Sequence, residues 1–199
     1  MMNEKKDTKL TIVIPCRQDS EDASVTLKSL SEQTFQDFTT IIVPDQNKGA
    51  QWARNEGFKG VVSEFTLFSD NDITWKSNAL ETLVGVLERT PKASYSYGRY
   101  LLGKDLWSHE AWNPHLLKQH NYISTMSVIR TADLPNPPFD EKIHRLQDWD
   151  LWLTMLEQGK RGVYVEDLIF TTPLKDGISH NGMDYLDAIL TVKKKHGLD

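Results

Sequence analysis

LTIVIP, residues 10–15, is the stretch that decides the fold class. Its apolar side chains run continuously instead of alternating, β-branched residues dominate, and a proline closes it. That pattern predicts a strand buried on both faces, the kind found in parallel sheets. Ser20 ahead of Glu21 and Asp22 predicts a helix N-cap with an acidic first turn. Ala23, Leu27 and Leu30 follow at i, i+4 and i+7 and carry that helix to about Gln33. TTIIV (39–43) reads as a second strand stopped by Pro44, and residues 49–58 as a helix with a small inner stripe of Ala50, Ala53 and Gly57. EFTLFS (64–69) is a third strand, and Leu80, Leu83, Val84 and Leu87 mark an amphipathic helix from Ser77 to Arg89. Strand–helix alternation repeated three times predicts βαβ units and an α/β fold built on a mostly parallel sheet.

Downstream the pattern is mixed. A strand over 93–100 leads into an irregular stretch, 103–122, then a strand over 124–130 and the turn PNPP (135–138). Gln147 to Gln158 reads as a helix with Trp149, Trp152, Leu153 and Leu156 on one side, and Gly159 suits its C-terminal cap. Short strands near 162–165 and 168–172 and a helix over 184–195 complete the chain.

With 199 residues, a single domain is expected over 1–199. The net charge of -5 argues against bulk nucleic-acid binding, which needs a basic face. The single cysteine, Cys16, excludes a disulfide framework and a multi-cysteine zinc site. The longest apolar runs are strand-length, so no transmembrane segment is expected. MMNEKKDTK lacks the apolar stretch of a signal peptide, which predicts a cytoplasmic chain. Lys193, Lys194 and Lys195 read as a solvated helix end or as a contact with the inner face of an anionic membrane.

In open α/β sheets, ligands bind beyond the carboxyl ends of the strands. That rule selects Pro15 to Asp19, Pro44 to Lys48, and Asp70-Asn71-Asp72. Asp70 and Asp72, one residue apart, repel each other unless a cation sits beside them. Hard oxygen ligands suit Mg²⁺ or Mn²⁺, which typically takes one or two carboxylates plus substrate phosphates. The triplet therefore reads as a metal site holding a diphosphate, or as an acidic turn leading into the next helix.

Four segments in this order resemble the family 2 glycosyltransferases, inverting enzymes of the GT-A fold that use nucleotide-diphospho-sugars. They are TIVIP with SLSEQTFQDF and IIVPD, then NKGAQWARNEGF, then EFTLFSDND, then RLQDWDLWLTMLEQGKRGVYV. The resemblance implies a nucleotide-binding half over 9–90, an acceptor and catalytic half over 91–180, and a C-terminal helix over 181–199. It implies Asp72 as metal ligand, with Asp70 and Asn71 facing the ribose, the diphosphate or the metal, and His180 completing the metal shell. It implies Asp148 as general base, at a helix N-terminus where the macrodipole favours an anion. Pro15, Cys16, Arg17 and Asp45 would face the nucleobase, and Arg54 and Asn55 the nucleotide-sugar. Mn²⁺ or Mg²⁺ would be the cofactor, and the acceptor a glycan, lipid or protein hydroxyl. The chain departs from the family pattern where IIVPD runs almost directly into QNKGAQWARN, without the further βαβ piece usual there.

Trp107 and Trp112, in the loop expected over 104–115, read as acceptor-stacking rings or as rings tucked under the loop. Asp150 reads as a structural or acceptor-facing residue. Two other functions fit parts of the chain: a haloacid-dehalogenase-type phosphohydrolase, with Asp70 as nucleophile in LFSDNDIT, and a non-catalytic sugar-nucleotide or glycan-binding domain.

Overall fold

In the computed structural model, which describes residues 8–17, 23–173 and 185–198, β1 (Leu10–Cys16) is buried along its whole length. It pairs in parallel on both edges, with β2 (Phe38–Pro44) and with β3 (Phe65–Phe68). Leu10, Ile12 and Ile14 enter one apolar cluster and Val13 the other, on opposite faces of the sheet. That two-faced burial is why the run is continuously apolar. The crossovers carry α1 (Ser24–Ser31) and α2 (Ala50–Phe58).

After β3 come β4 (Thr74–Trp75), α3 (Ala79–Arg89), β5 (Tyr95–Leu102), β6 (Asp105–Trp107), α4 (Pro114–Gln119) and β7 (Val128–Arg130). A 3₁₀ turn over Thr131–Asp133, α5 (Gln147–Glu157), β8 (Gly162–Thr172) and α6 (Tyr185–Lys195) follow. The sheet order is β2-β1-β3-β7-β5-β8-β4, with β6 paired to the far end of β5. The front strands and the β5–β8 pair are parallel. β7 runs antiparallel between β3 and β5 and joins the two halves into one mixed sheet. α1 and α3 cover one face, and α2, α4, α5 and α6 the other.

The differences from the expected elements have local causes. The two strands near 162–165 and 168–172 are one strand, β8, because β5 pairs with it throughout; register shifts around Arg99 absorb the exposed Glu166 and Asp167. β4 escaped notice because it is two residues long and exists only by pairing with the end of β8. Within the stretch expected to be irregular, Asn113 caps α4 by accepting from the His115 and Leu116 amides, with Pro114 behind it. The strand expected over 124–130 is ladder-paired only at its end, as β7.

The small stripe of α2 does what its sequence implies. A Cβ at Gly57 would overlap Val13 Cγ1 and stand 3.1 Å from Val43 Cγ2, so the helix backbone lies on the sheet. Gly57→Ala is expected to cost about 1–3 kcal/mol in urea unfolding. Gly85→Ala, whose Cβ would meet only the mobile end of Arg89, is expected to be neutral or to stabilise by up to about 1 kcal/mol.

Candidate active site

Three strand ends and one helix start converge on one edge of the molecule. Cys16, at the end of β1, is 4% exposed, and its carbonyl accepts from the Asp45 amide at 2.8 Å, tying the ends of β1 and β2 together. Asp45 Oδ1 in turn accepts from the Asn47 amide at 2.9 Å. Gln46, Asn47 and Gly49 all adopt positive φ in the tight turn that delivers the chain into α2. Pro15 lies buried just inside this edge and Arg17 stands exposed beyond it.

The acidic triplet is braced from α1. Thr26 Oγ1 donates towards the carbonyls of Asp70 (3.0 Å) and Ile73 (3.1 Å) and accepts from the Ile73 amide at 2.9 Å, so one hydroxyl pins the turn holding Asn71 and Asp72. Arg54, 6% exposed, donates to Asp70 Oδ1 at 2.6 Å and to Gln147 Oε1 at 2.7 Å. The repulsion expected between Asp70 and Asp72 is thus relieved on the Asp70 side by a guanidinium of the protein itself. Asp72 faces a cleft of about 490 Å³ shared with Thr74, Gly103, Thr171, Thr172 and Pro173.

Among the described residues, no three His, Cys, Asp or Glu side chains form a cluster that could hold a metal. A single carboxylate at an open cleft still fits Mg²⁺ or Mn²⁺, which complete their shells with phosphate oxygens and water. His180 lies outside the described residues.

Asp148 sits in the first turn of α5, half-buried. Its Oδ2 accepts from Asn121 Nδ2 at 2.7 Å and its Oδ1 from the Trp149 amide at 2.9 Å. Burial pushes its carboxyl above the usual carboxylate range, and Asn121, the Trp149 amide and the charge of Arg54 pull against that rise. The net result is a more basic carboxylate. Tyr100 faces the same region: burial, then the charges of Asp148 and Glu110, raise its phenol.

One expected contact is corrected, and two open readings are narrowed. Asn55 was expected beside the nucleotide-sugar; instead it is 4% exposed, donates to Phe139 O at 2.9 Å and Glu141 Oε1 at 3.1 Å, and accepts from the Phe139 amide at 3.0 Å. Trp112 is no open stacking face: its indole donates to Tyr95 Oη at 2.9 Å and Arg161 covers its ring at 5.5 Å. Asp150 takes the structural of its two readings, 3% exposed and held by Lys195 at the end of α6 and His196 just beyond it, each within 2.9 Å. Trp107, on β6, is 46% exposed and remains available to a ligand. Sequence reasoning missed Asn121, Gln51 and the bridging part of Gln147, whose Nε2 donates to Gln51 Oε1 at 3.0 Å. Only the position of Gln147, next to Asp148, offered a signal.

Residues 40–138 match the family model described as Glycosyl transferase family 2. The chain belongs to this family. It is 24% identical over 204 residues to the amylovoran biosynthesis glycosyltransferase AmsB of Erwinia amylovora, covering 80% of this chain and 68% of that protein. It is 24% identical over 182 residues to the Escherichia coli UDP-Glc:alpha-D-GlcNAc-diphosphoundecaprenol beta-1,3-glucosyltransferase WfgD, covering 76% and 71%. Its fold matches S. aureus TarS 1-349 in complex with UDP-GlcNAc at a TM-score of 0.76 and 16% identity, over 94% of this chain and 65% of that one. It also matches Mycobacterium tuberculosis glucosyl-3-phosphoglycerate synthase in complex with Mn²⁺, UDP and phosphoglyceric acid, at 0.66 and 12%, over 96% and 80%. The chain therefore spans less than two thirds of the TarS structure. The architecture is GT-A, and the family 2 glycosyltransferase assignment displaces the phosphohydrolase alternative.

The Asp150 cluster makes a stability prediction. His196 is 2% exposed at its side chain; burial lowers its pKa, but Asp150 and Glu157 outweigh burial and raise it above 6.5. A raised folded pKa stabilises fully below the unfolded value and is lost as pH climbs through the folded one. The urea midpoint should therefore fall as pH rises from about 6.5 towards alkaline values, and His196→Gln should flatten that slope.

Proposed function

We propose that this glycosyltransferase moves one sugar from a nucleoside-diphosphate sugar to an acceptor hydroxyl by a single inverting displacement, with Asp148 as general base. The observation that carries this reading is the bridge made by Arg54: one guanidinium holds both Asp70 of the acidic triplet and Gln147, the residue before Asp148. A basic carboxylate is thereby kept at a fixed distance from the strand end that receives the donor.

In this reading Pro15, Cys16, Arg17 and Asp45 line the nucleobase side, Asn71 and Asp70 the ribose and diphosphate side. Asp72, with His180 as a further candidate, holds the divalent cation. When bound, Mn²⁺ or Mg²⁺ supplies charge against the departing nucleoside diphosphate. Asp148 takes the acceptor hydroxyl proton as that oxygen attacks the anomeric carbon on the face opposite the leaving group. One displacement inverts the anomeric configuration. Mn²⁺ with UDP in one solved neighbour, and UDP-GlcNAc in another, support a metal-assisted nucleotide-sugar donor.

Asp148→Asn is expected to lower transfer by about two to four decades. The same variant should keep the Mn²⁺-dependent thermal shift given by the UDP-, GDP-, CMP- or dTDP-sugar that stabilises the wild type, since ligand binding to the native state alone raises its stability. Near-wild-type transfer by this variant would remove Asp148 from the mechanism.

The acceptor is a hydroxyl of a glycan or glycolipid, in line with the lipid-linked acceptor in the WfgD name. Among the described residues no helix is long and apolar enough to cross a membrane. α6 offers a surface for peripheral contact with lipid: Leu186 and Leu190, 64% and 62% exposed, share its outer face with Lys193 and Lys194. Flotation with phosphatidylglycerol vesicles should carry the wild type up at low salt, and Leu186→Asp/Leu190→Asp should abolish it.

A further inference from the structure

We propose that Asn121 is the positioning residue of Asp148, and that the two tryptophans of the QDWDLW string exist in part to clamp the segment that presents it. This rests on the reading of Asp148 as general base.

Asn121 lies in the connection between α4 and β7, 27 residues before Asp148 in the chain. Its amide has one satisfied orientation: Oδ1 accepts from the Ile123 amide at 3.3 Å, which turns Nδ2 onto Asp148 Oδ2 at 2.7 Å. The segment carrying it is tied to α5 on both sides of Asn121. Trp149 Nε1 donates to Leu117 O at 2.6 Å, and Trp152 Nε1 donates to Ile123 O at 2.8 Å. Between these two anchors, Tyr122 Oη accepts from the Asn113 amide at 2.9 Å, and its carbonyl accepts from Ser108 Oγ. Trp152 is itself held by stacking on Tyr95, with ring centroids 4.5 Å apart. A core indole thus normally needs one acceptor; here two consecutive inward tryptophans of one helix both take theirs from the same short segment.

The consequence for Asp148 is directional. Asn121 occupies one oxygen and the Trp149 amide the other, so the carboxylate is held against rotation about its Cβ–Cγ bond. The charged or titratable groups that act on it from the packed elements are Arg54 of α2 and Tyr100 of β5. Neither of these supplies the orientation, because no hydrogen bond joins either to Asp148 among the described residues.

The test reads Asp148 directly. The ¹³Cγ resonance of Asp148, assigned by its loss in Asp148→Asn, is titrated by NMR in the wild type, Asn121→Ala, Asn121→Asp and Trp152→Phe, and the acid limb of kcat/KM is followed in each. Removing a donor from the ionised form raises its pKa. Asn121→Ala should therefore move the midpoint and the acid limb up together by about one pH unit, a tenfold loss of rate below the limb. Asn121→Asp, nearly isosteric and so a guard against misfolding of the alanine variant, should move both further, since two adjacent carboxylates share a proton. Trp152→Phe should shift both in the same direction by less. Midpoints that stay at the wild-type value in the Asn121 variants, or rates lowered by one factor at every pH, overturn the proposal. Failure of the base assignment is separate: it shows as undiminished transfer by Asp148→Asn, whatever the Asn121 variants do.

Discussion

The buried guanidinium of Arg54 is the interaction on which the rest of the site depends. It comes from α2, whose backbone lies against β1 because Gly57 offers no side chain, and it reaches the end of β3 on one hand and the start of α5 on the other. A buried charge is tolerated only when it is paired, and removal of Asp70 would leave this one uncompensated. The packing of a small-residue helix on a parallel sheet and the spacing between the acidic triplet and Asp148 are therefore one constraint. A shift of α2 by the width of a methyl group would be felt at both ends of the bridge.

The front half was legible because its determinants are local. Continuous apolar runs, proline stops and the 3.6-residue spacing of Leu80, Leu83, Val84 and Leu87 carry the strands and helices without help from distant residues. The acidic triplet and the QDWDLW string were legible for the same reason, each lying directly at the end or start of an element. What escaped was set by partners far along the chain. β4 has no pattern of its own and forms by adding to β8. The single length of β8 depends on β5, and the acidic pair at its middle reads as a break until the partner strand is known.

The corrections follow the same line. The family resemblance put Asn55 beside the nucleotide-sugar, and Trp112 was open between stacking and tucking under its loop, yet each has hydrogen-bonding capacity that the folded chain itself uses, on Phe139 and on Tyr95. Asp150 looked like a neighbour of Asp148 in sequence, but two residues along a helix is a turn of about 200°, which aims it at α6. Asn121 carried no signal at all: nothing near it in the chain marks it, and only the closing of α5 onto the α4–β7 connection brings it to Asp148. Polar residues at strand ends are readable as candidates; which of them the protein needs for itself is decided by packing.

The sheet stops at β2, its terminal strand. A strand in the middle of a sheet shares two ladders of backbone hydrogen bonds, whereas a terminal strand shares one. Trimming at a terminal strand therefore breaks a single ladder and exposes one row of amides, which the half-open β2 already tolerates. The acidic triplet follows β3 and Asp148 opens α5, and β3 lies inboard of that margin. A fold of this kind can lose units beyond its terminal strand without disturbing the strands inboard of it, and the turn over 45–49 then stands at the outer margin.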